Sequence, residues 1–413
     1  RRFPSLVAGG CVVRVPGLAI VMVLAFAAPA MADDLFDACA ALGASTYESG
    51  YEGVGPADTP DYSAYDAADA CAPAHDADPS NVALAAWLGR ALLEQGKTEE
   101  AMPLLTRAAE GGNAVAQAVL GDALMLGRGI PRDRAKGFAL IQQAATAGYP
   151  PAQLSLALSY DTGEGVTADA PLAAQWQAKA ADAGLPRAAL LLGDRYRAGN
   201  GVTQSDKQAF TWWSRAADAG ERDSQYRLGV AWLEGIGTKP SKAKALAAFQ
   251  AAADAGSGAG AAALGYVTAR GIGLKANAED AVSQFQDAKR LGNPIGRFDL
   301  AVMLESGRGI DRDLDAARQT YREAAIAGEK RAAVNLGLMY LSGAGGAVDL
   351  AEALRWTKLA ADAGLAAGQN NLGRMYELGL GVPADLDQAR SLYAAAAAQG
   401  YAPAKDNLRR IGG

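Results

Sequence analysis

The sequence predicts an all-α fold, an α-solenoid of antiparallel helix pairs, on three observations. The pair Gly-x-Gly recurs every 36 residues, opening at Gly127, Gly163, Gly199, Gly235, Gly271, Gly307, Gly343 and Gly379. Seven residues ahead of each stands a leucine, from Leu120 and Leu156 to Leu336 and Leu372, and the residue after it is always small. A further glycine keeps the same interval, from Gly148 and Gly184 to Gly364 and Gly400. Eight copies in one register do not arise by chance. A chain of 413 residues built this way needs no division into globular domains, because each unit buries its apolar face against its neighbours.

Each element of the unit has its own warrant. The first helix carries the leucine and a small residue, glycine in six copies and alanine at Ala157 and Ala301. A close crossing of two helix backbones requires such a residue. After the Gly-x-Gly turn comes a side chain able to accept a hydrogen bond from an unpaired backbone N–H: Asp133, Asp169, Ser205, Ser241, Asn277, Asp313, Asp349 and Asp385. The second helix then passes through a small residue such as Ala173 or Ala317 and a large one such as Trp213, Phe249, Phe285, Tyr321 or Tyr393. It ends at the last glycine, where a left-handed residue is wanted. The core is rich in alanine and leucine and poor in β-branched runs, which favours closely packed helices over strands. The Ala-Gly-rich stretch from Ser257 to Ala263 is expected to pack loosely.

The pattern Leu-Gly-x-x-Tyr-x-x-Gly-x-Gly-Val, followed by a capped alanine-rich helix and a glycine, resembles the Sel-one-like repeat of the tetratricopeptide superfamily. Clear copies hold Leu192-Gly193 with Tyr196, Leu336-Gly337 with Tyr340 and Leu372-Gly373 with Tyr376. Leu124, Thr268 and Leu304 replace the aromatic residue, and Gly346 replaces the valine of the turn. The resemblance covers roughly residues 81–411 and implies a right-handed superhelix whose first helices line a concave groove.

The flanks complete the expected organisation. Residues 1–32 hold Arg1, Arg2 and Arg14, no carboxylate, an apolar stretch from Val15 to Ala28 and Ala30-Met31-Ala32 before Asp33. That is a secretory signal peptide with cleavage expected after Ala32; the Arg1-Arg2 pair leaves twin-arginine export as the less favoured route. The stretch is too short and too broken by proline to span a bilayer, and no later segment resembles a transmembrane helix. Residues 33–80 read as an N-terminal cap. Residues 81–112 form a short unit that opens with Trp87-Leu88-Gly89 and is four residues shorter than its successors, as if the Gly-x-Gly turn were deleted. Eight full repeats occupy 113–400. Residues 401–413 supply one terminal helix, in which Arg409 fills the slot held elsewhere by glycine or alanine, so that no further helix crosses closely.

Cys11 leaves with the signal, and Cys39 and Cys71 remain in a chain bound for an oxidising compartment, where an even pair usually crosslinks. A Cys39–Cys71 disulfide is the favoured reading over two buried thiols. Two cysteines with the sole histidine, His75, do not make a tetrahedral metal set at recognised spacing. The resemblance supports the disulfide, since exported bacterial members of the family are similar in placing two cysteines ahead of the array.

Formal charge is −6 for the chain and about −9 once the three signal arginines are removed, without basic clusters, which argues against a nucleic-acid partner. The Gly-x-Gly turns lack a following Lys-Ser/Thr and follow helices rather than strands, so a phosphate loop is disfavoured. Nucleophilic catalysis needs a base beside a serine or cysteine, and His75 has no Gly-x-Ser-x-Gly partner in the chain. Trp176, Trp212, Trp213 and Trp356 read as core of the second helices rather than as a sugar-stacking surface. No catalytic residue, cofactor or metal is expected.

The remaining surface is that of the first helices. The positions one and four after the motif glycine and three before it give Asp122, Asp161, Asp194, Arg197, Tyr226, Tyr266, Phe298, Glu305, Asn370, Arg374 and Glu377 as the expected groove residues. Aromatic side chains there would anchor a bound segment and charges would set its register. The expected protein is a monomeric, exported scaffold or adaptor, periplasmic or secreted, that binds a partner protein or peptide segment. The alternative is a cell-wall or β-lactam hydrolase like some cysteine-rich relatives. Those relatives carry paired cysteines within the repeats, whereas residues 81–413 contain none.

Overall fold

A computed structural model describes residues 28–55, 58 and 62–412. The segment 1–27 of the expected signal peptide lies outside them. Every regular element among the described residues is an α-helix, and the chain divides into two compact units after Ala152.

The first unit holds α1 (Ala28–Gly43), α2 (Ala64–Ala77), α3 (Val82–Glu94), α4 (Thr98–Glu110), α5 (Ala114–Leu126) and α6 (Arg134–Thr146). α1 and α2 pack on each other and on α3, and the Cys39–Cys71 disulfide joins them, with Cα atoms 4.5 Å apart. Trp87 of α3 is fully buried against the rings of Phe36 and Tyr51. Its indole N–H donates to Glu48 Oε2 at 2.7 Å, while Asn113 Nδ2 donates to Oε1 at 2.8 Å. Burial pushes the Glu48 carboxyl up, against the pull of these two hydrogen bonds. Only three residues, Gln95 to Lys97, join α3 to α4, whereas seven, Gly127 to Asp133, join α5 to α6. The four-residue deficit is the missing turn.

α7 (Pro150–Thr162) begins at the division. In the second unit follow α8 (Ala170–Asp182), α9 (Pro186–Ala198), α10 (Asp206–Asp218), α11 (Arg222–Glu234), α12 (Lys242–Asp254), α13 (Gly258–Arg270) and α14 (Ala278–Arg290). Then come α15 (Pro294–Ser306), α16 (Leu314–Ile326), α17 (Lys330–Ser342), α18 (Leu350–Asp362), α19 (Ala366–Leu378), α20 (Leu386–Ala398) and the short α21 (Ala402–Arg410). Each helix packs on the next in chain order, from α8 through α21, with the closest pairing inside a repeat.

The local chemistry repeats with the sequence. Ser205, Ser241, Asn277 and Asp313 accept hydrogen bonds from the first-turn amides of α10, α12, α14 and α16. A side chain at Gly193 would meet Trp213 at 2.5 Å, and one at Gly229 would meet Phe249 at 2.4 Å. The motif glycine is therefore the place where the two helices of a repeat touch. The second glycine of the turn has a different neighbour. At Gly237, with φ of 66°, an added Cβ would lie 2.1 Å from the carbonyl oxygen of Asp206, which opens α10 of the preceding repeat. The Gly-x-Gly turn thus seats each repeat on the one before.

Two expectations are corrected. Ser257 to Ala263 is tightly packed on its inner side: Ala261 and Ala262 are buried, and Gly260 lies so near Ala252 that a Cβ would meet its methyl at 2.4 Å. Small residues there bring α12 and α13 together. Trp213 and Trp356 are buried, but Trp176 and Trp212 are only half-buried. Each of these two rings lies under a cation, Lys179 at 3.7 Å and Arg215 at 5.0 Å.

Candidate functional site

Three of the expected groove residues converge on one cleft of about 580 Å³ in the second unit: Tyr226 of α11, Tyr266 of α13 and Phe298 of α15. Its floor is Phe249 and Phe285 from the second helices, with Ala259, Ala262 and Ala263 along one wall. The short side chains of that alanine-rich stretch open the space that larger residues would fill. Tyr266, Ile295 and Val302 line it while remaining 42%, 42% and 36% exposed. Large apolar side chains clustered around one concavity are the usual mark of a binding surface.

Charged groups border the apolar floor. Arg270 lies over the Tyr266 ring at 4.7 Å and Arg331 over Phe298 at 4.4 Å. Arg331 is oriented by Glu329, whose Oε1 and Oε2 accept from Nε and Nη2 at 2.9 and 3.0 Å. Arg308 Nη2 donates to the carbonyl of Ala269 at 2.5 Å. One carboxylate, Asp299, also lines the cleft. Burial raises its pKa to about 6, with Arg331 and Arg270 opposing the rise and Glu329 adding to it.

The other expected groove residues are engaged along the array. Asp161 pairs with Arg195. Asp194 accepts from Arg227 Nε at 2.9 Å and Nη2 at 3.1 Å, and from the Trp213 indole at 3.0 Å. The two arginine contacts join successive first helices, which lie side by side and bring residues 33 or 34 positions apart within reach. Arg197 pairs with Asp206 at 2.9 Å, and Glu305 accepts from the Tyr321 hydroxyl at 2.7 Å. Asn370 is buried and accepts from Asn407 at 2.9 Å. Glu377 accepts from the Tyr393 hydroxyl and Arg410 Nη2, both at 2.7 Å, and the Arg410 bond leads the causes that lower its pKa to about 2. Arg374 is exposed, and Asp122 borders a separate cleft in the first unit.

That second cleft, of about 360 Å³, contains a group the sequence did not single out. Asp58, from the irregular segment between α1 and α2, sets Oδ1 2.7 Å from Arg90 Nη2. Its Oδ2 accepts from the Ser45 and Tyr149 hydroxyls at 2.5 and 2.7 Å. Burial alone would raise its pKa, but the Arg90 charge and these hydrogen bonds hold the carboxyl below its usual range. The segment lacks periodicity, so the only available signal was an arginine, Arg90, beside the motif glycine of the short unit.

His75 belongs to the first unit, where its Nε2 accepts from Arg107 Nη2 at 2.7 Å. Burial and the neighbouring Arg107 charge hold its pKa down. Among the described residues no group of three or more His, Cys, Asp or Glu side chains is placed to hold a metal ion. Nor is any described helix long and apolar enough to cross a membrane.

Helix pairs in fixed register, glycine turns seated on the preceding repeat and first helices packed in succession within the second unit define an α-solenoid repeat protein. The Sel1 repeat matches eight times in succession, from residues 114–149 to 366–401. The chain belongs to the Sel1 repeat family. Its structure is similar to that of a protective antigen of uropathogenic Escherichia coli displaying an SLR fold. That likeness has 26% identity, covers 84% of this chain and 83% of that one, and has a TM-score of 0.51. It is also similar to a Sel1 repeat protein from Oxalobacter formigenes, at 30% identity over 75% of this chain and 90% of that one, with a TM-score of 0.53. No curated protein matches the chain.

Proposed function

We propose that the protein is an exported scaffold or adaptor of the cell envelope that holds a segment of a partner protein against its first helices, in the cleft around Tyr266 and Phe298. The observation that carries this reading is the concentration of exposed Tyr266, Ile295 and Val302 around one cleft with a floor of buried aromatic side chains. Export rests on the basic and then apolar character of residues 1–32, with which the Cys39–Cys71 disulfide agrees. The remaining expected groove residues contribute outside the cleft, where Arg197 and Arg374 are exposed. Glu377 holds Arg410 and Tyr393, so reversing its charge would loosen α21 as well as alter the surface.

A photoreactive amino acid at Val302, introduced in cells, tests the reading against the same residue at Thr211 on the exposed face of α10. A partner crosslinked through Val302, absent from Thr211 and lost with Tyr266→Ala at unchanged helical signal, is the expected result. Equal crosslinking from both positions would refute it.

A further inference from the structure

The chemistry of the bound segment can be taken further, on the footing that the cleft of the second unit is a docking site. Three guanidinium groups, of Arg270, Arg308 and Arg331, face one carboxylate, Asp299, around its apolar floor. Arg270 and Arg331 lie over the exposed ring of Tyr266 and the half-buried ring of Phe298. A guanidinium over a ring face can still donate N–H groups to a carboxylate; Arg331 gives Nε and Nη2 to Glu329, which leaves Nη1 for a further acceptor. The chain as a whole is acidic, at −6, so this cationic rim is a local feature set against the general field.

The molecule also contains an acidic residue already docked on the equivalent face. In the first unit Asp58, carried on irregular backbone, is held by Arg90, Tyr149 and Ser45. Arg90 directly follows the motif Gly89, the slot that Tyr266 and Val302 fill in their repeats. Ala118, Asp122 and Pro151, which line the same cleft as Asp58, stand at the repeat positions of Phe298, Val302 and Arg331. The register that receives Asp58 in one unit is therefore the register that forms the cleft in the other.

We infer that the cleft of the second unit binds an extended acidic segment of a partner protein bearing one aliphatic or aromatic anchor. The anchor lies among Tyr266, Ile295 and Val302, and the flanking carboxylates lie on Arg270 and Arg331, as Asp58 lies on Arg90. The test uses the full chain and two fluorescein-labelled peptides, Asp-Glu-Phe-Leu-Asp-Glu and its counterpart with lysine at each acidic position, followed by anisotropy at low salt. The acidic peptide should bind saturably and the lysine peptide should not. Arg270→Glu and Arg331→Glu should each weaken binding about fivefold, the span of a partly exposed ion pair. Arg322→Glu, exposed on α16 and outside the cleft, should change it less than twofold. Arg270→Glu leaves the Glu329 contact intact and so remains informative if Arg331→Glu disturbs α17. Equal or tighter binding of the lysine peptide would overturn the acidic preference while leaving the docking site. Failure of both peptides, or binding indifferent to Tyr266→Ala, would overturn the docking site as well. Concentration-dependent self-association that excludes the acidic peptide would assign the cleft to a second copy of the chain and overturn the inference.

Discussion

Replacing Asp299 with asparagine tests how the cleft is built. Its carboxyl rises from 3.8 to about 6 because burial on α15 disfavours the charge more than Arg331 and Arg270 support it. Arg331 is already shared with Glu329, whose own carboxyl stays below its usual range, so little cationic charge is left for Asp299. Below pH 3.8 the carboxyl is protonated in both folded and unfolded chains and contributes nothing. Between 3.8 and 6 the unfolded chain releases the proton first, so stability falls as pH rises, and the loss is complete above about 6. A shift of that size amounts to about 3 kcal/mol at neutral pH. An amide in its place keeps the shape without the charge, so Asp299→Asn should stabilise the unit by about 1–3 kcal/mol at pH 7–8 and by almost nothing at pH 4. Urea titrations of both proteins from pH 4 to 8, with amide exchange of residues 294–306 as the local measure, follow the difference. A gain that is flat with pH, or a loss at pH 7, would refute the claim that an ionised Asp299 is held in the cleft at a cost.

Replacing Cys39 and Cys71 together with alanine opens a loop of 32 residues and should lower the stability of the N-terminal cap by about 3–4 kcal/mol. Limited proteolysis should then cut residues 33–80 while the repeats resist; unchanged resistance of the cap would count against its dependence on the disulfide. Gly237→Ala, at φ of 66° with a carbonyl 2.1 Å from the new Cβ, should cost well over the roughly 1 kcal/mol expected at Gly220. Gly220 shares the left-handed backbone but has open space around it. Equal melting points for the two variants would show that φ, and not contact with the preceding repeat, sets the need for glycine. A double-mutant cycle of Asp194→Asn with Arg227→Met should return a coupling of about 0.5–1 kcal/mol, because the pair is bidentate but its side chains are 32% and 41% exposed; zero coupling would mean that the pair does not tie the two first helices.

The elements were legible because each is specified within about one turn of chain. Asp133 or Ser205 caps the helix that immediately follows it, and Gly184 stops the helix just behind it. The short unit announced its three-residue connection by a four-residue deficit in spacing. Contacts between repeats obey a different rule. Asp161 with Arg195, Asp182 with Arg215 and Asp194 with Arg227 are 34, 33 and 33 residues apart, an offset set by how parallel helices lie against one another. Opposite charges repeating at that offset were present in the sequence, and they distinguish residues spent on joining repeats from those left for a partner.

The cleft was hidden for a related reason. Its location depends on which side chains are missing as much as on which are present. Read along the chain, Gly258 to Ala263 looks like weak packing. In space the same residues do two things: Gly260 and Ala261 bring α13 onto α12, and Ala259, Ala262 and Ala263 leave Tyr226, Tyr266 and Phe298 around a hollow. A larger residue at Ala263, half-buried on the cleft wall, should fill the hollow with little effect on the α12–α13 contact, whereas any side chain at Gly260 should force those helices apart. The alanine-rich repeat is thus both a tight crossing and a wide opening of the second unit, because a helix one side chain thinner gains contact on one face and space on the other.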